Sequence, residues 1–218
     1  MKKICIFCLI VISLFSCKKI LPYYSAPEEL KQYFGFKMGS YWVYKNDSTG
    51  EIDSTYVRNF FDSDVPYSDK YRFELVSTIF HSKFLSAVEI HYSSCLANNI
   101  VKVTGKSDTV NIPDYAETGG PIAYFPGWSS NSQVITTDCL IGCIFVFKLI
   151  SSDTINNKIY KNLIYSKTQS SDTNTLNSSY FFREIYFAKN IGIIKYFERN
   201  NYSNIVRSRS LIKYSVNQ

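Results

Sequence analysis

The residues best suited to acid–base, nucleophilic or metal chemistry in this chain of 218 are two histidines, His81 and His91, and six cysteines. His91 alternates with apolar neighbours on a predicted strand, which turns it to solvent. No Ser or Cys stands in a glycine-flanked nucleophile turn. A carboxylate pair such as Asp62 and Asp64 could share acid–base work, as in glycosidases, but beside Pro66 both read as loop residues. Three downstream sulfurs, Cys95, Cys139 and Cys143, and two distant histidines are too few for a metal site. The chain is therefore expected not to be an enzyme, with no cofactor and no metal.

Binding chemistry is better represented. The stretch Ile112 to Asn131 reads as one long unpatterned loop carrying Tyr115, Tyr124, Phe125 and Trp128, held open by Gly119-Gly120-Pro121 and Pro126-Gly127. Aromatic faces there suit stacking on a glycan or an apolar small molecule. The competing reading is that the same rings close one end of a β core.

The elements that must position these residues begin with a leader. Lys2 and Lys3 precede the apolar run Ile4 to Leu14, the order of a signal peptide, and the run is short for a permanent span. Leu14-Phe15-Ser16-Cys17 resembles the bacterial lipobox. That resemblance implies cleavage before Cys17, a diacylglycerol on its thiol and acylation of the new amino group, enough chains for lasting attachment. The predicted organisation is a signal peptide over 1–16, a tether over 17–24 and a single β-rich domain over 25–218.

Removing residues 1–16 from the 218 leaves 202, and the formal charge falls from +6 to +4 as Lys2 and Lys3 depart. The remaining charges are scattered, which argues against nucleic acid. Cys5 and Cys8 leave with the leader, so one thiol among Cys95, Cys139 and Cys143 stays unpaired or bonds between chains. A Cys139–Cys143 bridge could use Gly142 for its turn, and Cys95 with either partner is equally legal.

Ser25 and Glu28 form a capping-box pattern with Pro27 near the first turn, predicting a short helix whose face Leu30, Tyr33 and Phe34 docks on a sheet. From Ser40 onward, stretches rich in Tyr, Phe, Ile, Val and Thr alternate with Asn, Asp, Ser and Gly. A first hairpin joins Tyr41–Tyr44 to Ser54–Val57 through Asn46–Gly50, and a closing hairpin joins Gly192–Glu198 to Ile205–Val216. Between Tyr71 and Phe80, Phe73, Leu75 and Ile79 fall on one face and Arg72, Glu74 and Thr78 on a wet one. Alternation also buries one of Tyr41 and Trp42. The fold class is all-β, mainly an antiparallel meander of about ten strands curled into a barrel, half-barrel or two-layer sandwich.

Two segments carry a second resemblance. Phe36-Lys37-Met38-Gly39-Ser40-Tyr41-Trp42-Val43-Tyr44 and Phe187-Ala188-Lys189-Asn190-Ile191-Gly192-Ile193-Ile194-Lys195 are similar to strands that open and nearly close uncharacterised lipoproteins of Bacteroidetes. The resemblance implies no catalytic residues. Asp47-Ser48-Thr49, Asp53-Ser54-Thr55, Asp108-Thr109-Val110 and Asp153-Thr154-Ile155 resemble the O-glycosylation sequon of that phylum, with Ser48, Ser54, Thr109 and Thr154 as acceptors, and they read equally as turn chemistry at strand ends. Lys18 and Lys19 lack the acidic residues that resemble inner-membrane retention or surface-export marks. By that resemblance the address is the periplasmic leaflet of the outer membrane, with the cell surface as the alternative. The expected role is a non-catalytic binding or carrier module for an apolar or glycan ligand. The rivals are a structural partner of an envelope protein complex and a hydrolase with an unrecognised site.

Overall fold

A computed structural model of the protein describes residues 20–67, 69–93, 98–105, 121–125, 133–137, 143–170, 181–200 and 205–218. After β1 (Tyr23–Tyr24) and α1 (Glu28–Phe34) come β2 (Tyr41–Asn46), β3 (Ile52–Tyr67), β4 (Tyr71–His81), β5 (Leu85–Ser93), β6 (Asn98–Gly105) and β7 (Pro121–Phe125). The second half supplies β8 (Gln133–Thr137), β9 (Cys143–Ile155), β10 (Lys158–Ser170), β11 (Phe181–Ala188), β12 (Gly192–Asn200) and β13 (Ile205–Ser215). All belong to one sheet ordered β7-β6-β5-β4-β3-β2-β13-β12-β11-β10-β9-β8, with β1 added beside β4. From β2 to β7 and from β8 to β13, chain neighbours pair antiparallel, as short polar turns favour. The antiparallel β2–β13 join sets two meanders side by side. Cα atoms of β7 come within 8 Å of β9 and β10, so the sheet curls without closing.

The first hairpin forms as expected, with Tyr41 opposite Tyr56 and Lys45 opposite Ile52. Its turn rests on Asn46, whose Oδ1 accepts the N–H groups of Ser48 (2.9 Å) and Thr49 (3.1 Å), and on Gly50 at φ +74°. The closing hairpin also forms, from Lys195 opposite Ser210 to Asn200 opposite Ile205. Leu30, Tyr33 and Phe34 are buried on the docked face of α1, and Trp42 rather than Tyr41 points into the core.

Four expectations are corrected. Asp62, Asp64 and Pro66 are not loop residues but lie in β3, whose second half runs beyond β2 and, among the described residues, pairs only with β4. One side of the strand is thus free there, and Pro66 costs no ladder bond. The stretch expected to be one long loop contains β7, paired with β6, and Pro121 is tolerated as the first residue of an edge strand. Ser25 does not cap α1: the N-cap is Pro27, without a side-chain cap bond, because the preceding segment is held from β4 instead.

The fourth correction concerns β4. Glu74 and Thr78 are buried, with Val76 and Phe80, whereas Phe73, Leu75 and Ile79 are half-exposed on the other face. Alternation sorts residues into two faces without saying which face is covered. Here the cover is the segment around α1, which brings backbone groups that need partners. Thr78 Oγ1 accepts the N–H of Phe36 (3.2 Å) and donates to the carbonyl of Phe34 (3.0 Å), so a polar residue is required under the helix.

Candidate functional site

The two segments quoted for their resemblance meet in space. The Trp42 indole N–H donates to the carbonyl of Ile191, and the Tyr44 hydroxyl donates to that of Ile193 at 2.8 Å. Phe36 packs edge-on against Trp42 with ring centroids 5.1 Å apart. Gly192, at φ +93°, lies beneath both, and a Cβ there would come within 2.9 Å of the Phe36 ring. Asn190, also in the left-handed region, donates its N–H to Gln32 at the end of α1. These motifs therefore fasten α1, β2 and the β11–β12 hairpin together, and burial raises the Tyr44 hydroxyl far above the range of proton transfer. Their chemistry is architectural.

Among the described residues, that knot fills the concave face where the two meanders meet. Leu30, Phe34, Trp42, Tyr44, Phe84, Phe187 and Tyr196 are each 3% exposed or less. A cavity among Tyr33, Phe34, Phe36, Trp42 and Phe187 measures about 10 Å³, the space of roughly one water. Nothing of ligand size fits there.

A polar cluster lies where the chain enters the domain. Glu74 accepts the N–H of Ala26 at 2.9 Å and the Lys31 ammonium at 2.5 Å, and Lys31 also reaches Glu28 at 2.9 Å. Burial pushes the Glu74 carboxyl up, but its bonds to Lys31 and Ala26 outweigh this and hold it below the usual range. Asp62 hydrogen-bonds Glu74 and is held above its usual range, first by burial and then by that bond and its charge. Arg72 pairs with Asp64 at the surface. Two carboxyls pushed in opposite directions are an arrangement that acid–base sites use. Here Glu74 ties α1 and the segment before it to β4, and Asp62 bonds Glu74 from β3.

A second cluster occupies the concave side of the other meander. Glu198 accepts the Tyr196 hydroxyl and an N–H of Arg183 (3.3 Å), and Arg207 approaches it at 3.7 Å. The guanidinium of Arg183 lies 5.8 Å from the Tyr196 ring, and that of Arg209 lies 4.5 Å from Phe84. Burial, then the charge of Glu198, raises the Tyr196 hydroxyl, although Arg183 opposes this. Guanidinium groups in such number suit anion recognition, but Arg183 and Glu198 are 8% and 9% exposed, and each serves the other.

Part of the predicted site lies among the described residues. Tyr124 and Phe125 stand on edge strand β7, opposite Ile100 and Asn99. Tyr115, Trp128, Cys17, Cys95, Cys139 and Thr109 lie outside the described residues, and Cys143 begins β9. Ser48, Ser54 and Thr154 all present to solvent. His81 ends β4, stacked on Tyr56 at 4.7 Å. Among the described residues no group of three His, Cys, Asp or Glu side chains could hold a metal ion, and no helix is long and apolar enough to cross a membrane. Sequence reasoning missed Lys31, Arg183 and Glu198 as cluster members. A signal for the last existed, since one step beyond Ile194 and Tyr196 on the same strand face is Glu198.

No protein-family model matches the chain, and no curated protein does. Its fold is similar to that of two crystallised proteins. One, inferred to be a lipoprotein, is from Parabacteroides distasonis, with a TM-score of 0.37, 9% identity, and coverage of 84% of this chain and 99% of that one. The other, inferred to be exported and described as having a YmcC-like fold, is from Bacteroides fragilis, with a TM-score of 0.36, 9% identity, and coverage of 84% and 98%.

Proposed function

We propose that this chain is a lipoprotein of the outer membrane, anchored through Cys17 and facing the periplasm, whose β domain is a non-catalytic module that engages an envelope protein through its outer surface. The anchor rests on the leader and the Leu14-Phe15-Ser16-Cys17 sequence. The observation that carries the protein-partner reading over the small-molecule carrier is that, among the described residues, the concave face is filled around a cavity of about 10 Å³. A carrier needs a pocket of several hundred Å³. Apolar area is instead available outside: Phe61 is 45% exposed on the outer face of the β3–β4 hairpin, with Leu75 and Phe73 half-exposed on the same face.

A photo-crosslinking amino acid placed at Phe61 in the full chain in cells, beside one at the buried Leu163, tests this. The expected result is one discrete protein adduct from position 61 and none from position 163. Crosslinks from 61 to nothing, in cells where the protein is acylated and folded, would remove the partner reading.

A further inference from the structure

Resting on that lipoprotein reading, we propose that the end of the β3–β4 hairpin, together with β1, is a membrane-docking surface: Ile20, Tyr23, Tyr24 and Tyr67 sit at the headgroup level of the bilayer that holds the Cys17 acyl chains.

The direction of the chain supplies the first argument. β1 runs parallel to β4, Tyr23 opposite Arg72 and Tyr24 opposite Phe73, and the N–H of Arg72 donates to the carbonyl of Pro22 at 2.8 Å. Since β4 starts at Tyr71, following β1 back toward the N-terminus leads past the hairpin turn and out of the domain. Ile20 is the first described residue, three positions from Cys17. Those three positions span at most about 10 Å when fully extended. A lipidated Cys17 therefore brings the bilayer surface to this end of the hairpin.

Surface chemistry supplies the second. Ile20 is 94% exposed, Tyr23 and Tyr67 are each 51% exposed, and Tyr24 is 37% exposed. Tyr71 braces two of them: Tyr67 stacks on it at 4.8 Å and Tyr24 meets it edge-on at 5.6 Å. Tyrosines with an apolar ring and a polar tip concentrate at membrane interfaces. Rings already fixed on strands lose little freedom on insertion. Of the acidic groups near this end, Glu74 is buried and tied to Lys31 and Asp64 is paired with Arg72, while Asp69 in the turn stands beside Lys70. Lys70 beside the turn is exposed, and Lys18 and Lys19 separate Ile20 from the lipidated residue.

The test uses full-length acylated protein on phosphatidylethanolamine–phosphatidylglycerol vesicles containing brominated acyl chains. Tyr67→Trp adds a fluorophore at the docking surface, Tyr23→Trp repeats the measurement at an independent position should the first disturb the Tyr71 stack, and Tyr56→Trp, further along β3, is the control. The emission added at 67 and 23 is expected to shift to the blue and to be quenched by the bromines, and that added at 56 to be unaffected. Vesicle flotation separates the two levels of the argument. Protein that fails to float with the vesicles contradicts the lipoprotein reading. Protein that floats while the emission added at 67 and 23 stays unquenched overturns the docking surface. So does a solution dimer of the unacylated Cys17→Ser chain that Tyr67→Asp dissolves, which would make a second copy the occupant.

Discussion

The two meanders of the sheet are built from the same alternation of apolar and polar residues, yet their concave faces differ. In the N-terminal meander the face of β4 lies under α1, and its polar positions, Glu74 and Thr78, serve the backbone and the lysine of the covering segment. In the C-terminal meander Arg183, Tyr196 and Arg207 converge on Glu198 across β11, β12 and β13. The difference shows that a buried charge in this fold answers whatever lies opposite it. Beneath α1 the polar side chains of β4 meet backbone groups of the covering segment; around Glu198 the strand side chains meet one another.

The largest expected effect that would sharpen this contrast is at the seam between the two halves. Trp42→Ala removes the ring that touches Phe36 and Phe80 and bonds Ile191. It should cost about 3–5 kcal/mol in urea unfolding. A change well under 1 kcal/mol would mean that the two meanders are not joined through this ring. Next comes the charged half, where Glu198→Gln keeps the shape but leaves Arg183 and Arg207 facing a neutral amide. A loss of about 1.5–3 kcal/mol is expected. The double change Arg183→Met with Glu198→Leu should recover much of it, since a buried pair is often replaceable by apolar residues of similar volume.

The smallest effect is a pH dependence confined to the α1 side. Glu74 has a lowered carboxyl, so its contribution is complete above the unfolded carboxylate range and is lost as pH falls through its folded value, below that range. Asp62 has a raised carboxyl and contributes in the opposite sense, stabilising at low pH and losing that contribution as pH rises through its folded value. Hydrogen exchange of the Ala26 amide, followed from neutral pH downward and corrected for intrinsic rates, should show lost protection below that same range. In Glu74→Gln that acid-dependent step should be absent.

Much of the scaffold was legible because it is local. The first hairpin announces itself through Asn46 and Gly50, the last through the alternation of Ile194 and Tyr196, and the docking face of α1 through the spacing of Leu30, Tyr33 and Phe34. What could not be read is non-local. The burial of Glu74 and Thr78 depends on a helix that lies more than 40 residues earlier in the chain. Strand β7 was concealed by prolines that are harmless at a sheet edge, and β3 by acidic residues and a proline in a half that lacks β2 as a neighbour. The motif glycine Gly192 could be picked out from the sequence, but its role, leaving room for Phe36, required the fold.

We propose a domain that, among its described residues, has a concave face filled by its own side chains and that is held at a membrane through Cys17. Native mass spectrometry of the full-length protein, released from its membrane in mild detergent, tests both parts in one spectrum. The predicted mass is that of residues 17–218 plus acyl groups, with any remaining increment covalent and mapping to surface hydroxyls such as Ser48, Ser54 or Thr154. A stoichiometric non-covalent lipid or glycan that leaves on collisional activation would contradict the filled interior, and a chain that retains residues 1–16 would contradict the anchor.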